Sequence, residues 1–158
     1  MGFKCKLTVG IASAVVVFVV LIGMGWTMLK GESEDYQAKL LSVFKEQETA
    51  TAQDIFSFDF ERAYLFNDPY LSGEGFAERY QLELSIGEVG PGVSENIQRI
   101  VFVDGSGAFV YEFRCDSNKV VLLEGGMVIT PQTVIEKVSA PEDAVTTLQF
   151  QSQERYDG

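Results

Sequence analysis

The pattern of the chain opens on an uninterrupted apolar stretch. Residues Leu7 to Leu29 read LTVGIASAVVVFVVLIGMGWTML, 23 residues without a charge. As a helix this run reaches roughly 35 Å at about 1.5 Å per residue, enough to cross a hydrocarbon core about 30 Å thick. A lipid interior gives the backbone no partner but itself, so the pattern predicts one transmembrane helix. After Gly31 the period changes. Tyr36, Leu40, Val43, Phe44 and Gln47 share a stripe with Leu41 beside it, while Glu34, Lys39, Lys45, Glu46 and Glu48 take the other face. That spacing predicts an amphipathic helix capped at Ser33. It fades over Thr49 to Gln53, which reads as a polar linker.

A period of two follows. Phe56, Phe58 and Phe60 alternate with Ser57 and Asp59, and Arg62 to Phe66 reads as a strand with Tyr64 and Phe66 on one face. Asn67, Asp68 and Pro69 stop it, because proline has no N–H for a central ladder. Ser72 caps a short helix to about Tyr80. Gln81 to Ile86 alternates again, and Gly87 to Asn96 is a loop by composition. Then comes a meander: Arg99 to Val103, a turn at Asp104-Gly105-Ser106-Gly107, Ala108 to Arg114, a turn at Asp116-Ser117-Asn118, and Val120 to Leu123. Glu124-Gly125-Gly126 turns once more before Met127 to Thr130. Gln132 to Val138 reads as a short helix and Val145 to Phe150 as a last strand. The organisation expected is a tail over 1–6, a membrane helix over 7–29, a juxtamembrane helix and linker over 30–53, a domain over 54–150 and a flexible tail over 151–158. The domain is expected to be α+β, a mostly antiparallel sheet with two or three helices.

Charge sharpens this picture. All 23 acidic residues lie after residue 31, against nine of the 12 basic ones, so the outer part carries a formal charge of −14. Nucleic-acid binding needs a basic footprint, which is absent. A domain this acidic is repelled by anionic headgroups, and its charge serves either solubility or the attraction of a basic partner or of cations. Lys4 and Lys6 precede the apolar run and Lys30 alone follows it, which predicts the N-terminus in the cytoplasm and the domain outside. The run is too long for a cleaved signal, and no A-x-A-like exit precedes Lys30, so an uncleaved signal-anchor is expected. Gly10 and Ala14 form a small-xxx-small pair that offers a weak homodimer face. Cys5 and Cys115 fall on opposite sides of the membrane and cannot pair within one chain.

The inventory of reactive groups is narrow. The chain has no histidine, which removes His-based acid–base catalysis and His metal sites. It has no phosphate-binding or dinucleotide-binding glycine loop. Neither catalysis, a cofactor nor a metal is expected. The candidate binding residues come instead from FSFDFERAYLFNDPY, Phe56 to Tyr70, with six aromatics in 15 residues. They are Asp59, Arg62, Tyr64, Phe66, Pro69 and Tyr70. Such a density forms either core or, ringed by charge, a binding face.

Phe58, Asp59, Arg62, Tyr64, Phe66, Pro69 and Tyr70 make an aromatic–Asp, Arg-x-Tyr, Pro-Tyr box that resembles one in small single-pass membrane-anchored bacterial proteins of unassigned function. The resemblance covers Phe56 to Leu84. This chain has Phe58 where an indole is expected and Asn67 and Asp68 where glycine is common. The resemblance implies location and domain style and transfers no catalytic residue. The function expected is a membrane-anchored extracytoplasmic module that binds another protein. The alternatives are an anchored immunity or enzyme-inhibitor protein and a small-ligand or envelope sensor.

Overall fold

The computed structural model describes residues 36–158 apart from 67, 69, 93, 124–127, 140–142, 153 and 157–158. The membrane helix expected over Leu7–Leu29, the tail before it, the cap at Ser33, Pro69 and the turn at Glu124-Gly125-Gly126 lie outside the described residues. Among the described residues no helix is long and apolar enough to cross a membrane. The architecture of the described residues is mixed α+β, with two four-stranded sheets and few helices.

The first helix, α1, covers 36–46. Its stripe is the one the spacing marks, with Leu40 and Phe44 buried and Tyr36, Leu41 and Val43 packed beside them. Strand β1 (Thr49–Thr51) and helix α2 (Ala52–Ile55) follow. They replace the expected polar linker. Ala50 and Ala52 are buried and small enough to bring the backbone against β7 (Val134–Lys137). The Asp54 carboxylate accepts from the Thr51 N–H at 2.9 Å and closes the turn between strand and helix.

The remaining strands are β2 (Arg62–Phe66), β3 (Ile97–Val103), β4 (Phe109–Asp116), β5 (Val120–Leu123), β6 (Val128–Ile129) and β8 (Thr146–Gln151), with α3 (Gly73–Arg79) between β2 and β3. One sheet runs β4-β3-β2-β6, antiparallel throughout. The other runs β1-β7-β8-β5, with β5 and β8 parallel. One core takes side chains from both sheets and from α1 and α2: Phe56, Leu65, Phe102 and Phe113 meet Ile135, Leu148 and Phe150 there. A second core covers the opposite face of the β4-β3-β2-β6 sheet, where Tyr64, Phe66, Val101 and Val103 pack on Phe76, Ile86, Val89 and Tyr156. Burial on both faces is why IVFV in β3 reads as a continuous apolar run rather than an alternation.

Four further expectations are corrected. Phe56 to Phe60 is not a strand. The alternation survives as packing, because Phe56, Phe58 and Phe60 all meet the Phe102 ring at 4.7 to 4.9 Å, without a backbone ladder. Gln132 to Val138 is not a helix but contains β7. Seven residues cannot sustain a helix without tertiary support, and the β-branched Val134 and Ile135 find ladders on both sides. The meander ends at β4. β5 crosses to the other sheet, where Val120 and Leu122 are buried, and Gln98 of β3 holds its outer edge by accepting from the Leu122 N–H at 2.8 Å and donating to its C=O at 2.7 Å. Finally, where a flexible tail is expected over 151–158, its described residues hold contacts with the domain. Val128 donates to the Glu154 carbonyl at 3.0 Å, and the buried Tyr156 hydroxyl donates to the Leu65 carbonyl. The Val128 bond covers the free edge of β6, which would otherwise offer open backbone groups.

Candidate functional site

The structure divides the candidate residues by the pleat of β2. Successive side chains of a strand point to opposite faces, so Arg62, Tyr64 and Phe66 share the face of the second core. Tyr64 and Phe66 are each 2% exposed, which leaves neither ring on the surface. Phe66 stacks on Phe76 with centroids 3.9 Å apart, and Tyr64 meets Phe76 and Tyr156 edge-on. Arg62, at the open end of the strand, is exposed. Asp59 is exposed on the irregular stretch before it. Tyr70 lies beyond the strand and is 73% exposed, the most open of the large apolar or aromatic side chains described.

Tyr70 is exposed but its backbone is firmly held. Its N–H donates to Asp68 Oδ1 at 2.9 Å, and its hydroxyl donates to Glu95 Oε1 at 3.0 Å. Asp68 also accepts from Arg79 Nη1 at 2.8 Å. The Arg79 bond first, then the Tyr70 N–H, holds the Asp68 carboxyl below its ordinary range. Beneath the loop lies Arg99 of β3, 1% exposed. Its guanidinium donates to the carbonyls of Gly90 and Leu71 at 2.6 Å each and of Asp68 at 3.2 Å. It sits 5.1 Å from the centre of the Phe66 ring and 3.5 Å from Glu112 Oε1. Burial lowers the Arg99 pKa and the Glu112 carboxylate raises it. A guanidinium nevertheless stays charged in proteins. One buried cation thus fastens two loops, 68–71 and 90, to the centre of a sheet. Its place in the apolar run IQRIVFV is the signal that the reading of the sequence passed over.

A second feature forms around Arg62. With Tyr64, Leu82, Glu83, Leu84, Val103 and the turn Asp104–Gly107 it lines a cavity of about 250 Å³. The turn is built by Asp104, whose Oδ1 accepts from the Ser106 N–H at 2.8 Å, the Ser106 hydroxyl at 2.7 Å and the Ala108 N–H at 3.0 Å. These bonds, the Ser106 hydroxyl first, hold its carboxyl below the ordinary range. Gly107 has φ +81°, and a Cβ there would meet the Glu83 carbonyl at 2.8 Å, so only glycine lets the 82–85 segment lie this close. On the other side of Leu82 and Leu84 a wider, open concavity is walled by Glu74, Ala77, Glu78, Gln81 and Gly87. Arg62 makes no ion pair among the described residues.

Cys115 is fully buried and burial pushes its thiol up to about 12, far from the thiolate that a nucleophile requires. Among the described residues no group of three or more His, Cys, Asp or Glu could hold a metal ion. Comparison with protein-family models, with curated proteins and with solved structures finds no match to this chain.

Proposed function

We propose that this protein is a membrane-anchored module that displays its α+β domain outside the cytoplasmic membrane of a bacterium and binds another protein there, without catalysing a reaction. The observation that carries this reading is Tyr70, 73% exposed on a loop whose carbonyls are held from below by the buried Arg99. A large aromatic presented on a preorganised backbone loses little freedom on binding, which is the property of an interface anchor. The 23-residue apolar run and its basic flank support the anchored placement. Tyr64 and Phe66 serve this surface from beneath, by packing the strand that leads into the loop. Arg62 and Asp59 are also exposed, but they lie at or before the opposite end of β2 and are not part of this surface.

The test places a photo-crosslinking phenylalanine analogue at position 70 in the native cells, with the same analogue at exposed Lys45 as a comparison. The expected result is one discrete adduct from position 70, and none from position 45. Equal or absent labelling at the two positions overturns the assignment of Tyr70 as the anchor.

A further inference from the structure

We propose that the two concavities meeting at Leu82 and Leu84 receive an extended segment of a partner protein that alternates basic and apolar side chains. The inference rests on the protein-binding reading above and adds the chemistry of the partner. Leu82 and Leu84 are half-buried members of the second core and form the wall common to both concavities, so they offer apolar surface at the centre of the site. Exposed carboxylates flank them on both sides: Glu74 and Glu78 on α3, Glu83 and Asp104 across the leucines. The hairpin bonds to the Asp104 carboxylate favour its charged form. Of these four, none forms an ion pair within the described residues. The charge of the walls is therefore open to an incoming cation rather than neutralised internally.

The alternation of Leu82, Glu83 and Leu84 along the shared wall suits an extended segment. In an extended segment successive side chains point to opposite faces, so its apolar residues turn toward the leucines, while its basic residues reach the flanking carboxylates by bending their long flexible stems round the segment. Arg62 is the positive group of the first concavity and disfavours a polycation there. Its guanidinium suits the backbone carbonyls of the same segment, which accept from such a donor. The domain charge of −14 speeds the approach of a basic segment from a distance.

The test uses the 158-residue chain in a mild neutral detergent and three short peptides carrying a neutral fluorophore, read by fluorescence anisotropy. Their sequences are Lys-Leu-Lys-Leu-Lys, Lys-Ser-Lys-Ser-Lys and Glu-Leu-Glu-Leu-Glu, each acetylated and amidated. The expected order of affinity is the order given, with the first weakened by salt. Reversing Glu78→Lys and Glu83→Lys together weakens the first peptide by about tenfold or more, as charge reversal at a contact does. Glu46→Lys with Glu48→Lys, a matched change of charge on exposed positions elsewhere, leaves it nearly unchanged. Glu78→Gln with Glu83→Gln repeats the test with smaller perturbation, and circular dichroism reports folding of every variant. Equal weakening by the two lysine pairs shows long-range charge alone and overturns the site. Equal affinity for the leucine and serine peptides, or no binding of the first, overturns it also. Crosslinking from position 70 is independent of these outcomes, so failure here leaves the wider reading standing.

Discussion

Two tyrosines six residues apart do opposite work. Tyr64 is 2% exposed among Phe76 and Tyr156, and Tyr70 is 73% exposed above the Arg99 cage. Tyr64→Ala is expected to cost about 3–5 kcal/mol, the usual loss for a large aromatic truncated in a packed core. Tyr70→Ala is expected to change stability by less than about 0.5 kcal/mol, as for an open surface position. Urea unfolding of the two variants side by side checks both values. The sequence shows both residues as aromatic and near a proline, and period two places Tyr64 and Phe66 on one face. It does not show that this face is covered, because the covering groups come from α3, from Ile86 and Val89, and from Tyr156 at a separation of more than 90 residues. Arg99 was equally hard to read, since a charge inside an apolar strand declares its function only when the carbonyls that surround it are known.

Among the elements, local signals succeeded where one face or one cap decided the outcome. The stripe Leu40, Phe44 sufficed for α1, and Ser72 caps α3 by accepting from the Gly75 N–H at 3.1 Å. They failed where pairing partners lay far away. Thr49–Thr51 and Val134–Lys137 are each short and ambiguous, and each becomes a strand by pairing with the other. Val120–Leu123 is apolar enough for either sheet, and its choice of parallel pairing with Thr146–Gln151 is a tertiary decision. Loop geometry adds a constraint that composition hides. Gly73 opens α3 beneath the Ile86 carbonyl, and a Cβ at that position would lie 1.9 Å from the oxygen. No rotamer relieves a clash with backbone, so α3 would have to move away from the 86–89 turn, where Gly73 donates to the Val89 carbonyl at 2.7 Å. Gly73→Ala is expected to lower stability by about 1–3 kcal/mol, in the range of an overpacked core, measured as a fall in the urea midpoint without a change in slope.

Across the whole molecule, acidity and pH are linked by a defined sign. Asp54, Asp68 and Asp104 all have pKa values below the ordinary 3.8, through bonds to Thr51, Arg79 and Ser106 in turn. A carboxyl depressed on folding contributes stability above its unfolded pKa and loses it as pH falls through the folded value. Stability is therefore expected to hold down to about pH 4 and to decline below it. Asp104→Asn is expected to flatten that decline, seen by following the urea midpoint from pH 7 to pH 2. The union of the two sheets carries a different possibility. Gln98 belongs to one sheet and grips Leu122 of the other through both its oxygen and its nitrogen. An amide does this at every pH, because its donor and acceptor are permanent. Gln98→Glu would keep the shape and make the donor conditional on a proton. The protonated acid can reproduce both bonds, whereas the carboxylate would face the Leu122 carbonyl with no hydrogen to offer. Its folded pKa would lie above the unfolded one, so its contribution would be present in acid and lost as pH rises through the folded value. One isosteric atom exchange would thus turn a passive joint into a latch that releases as pH rises, with a pH slope opposite to that of the native aspartates.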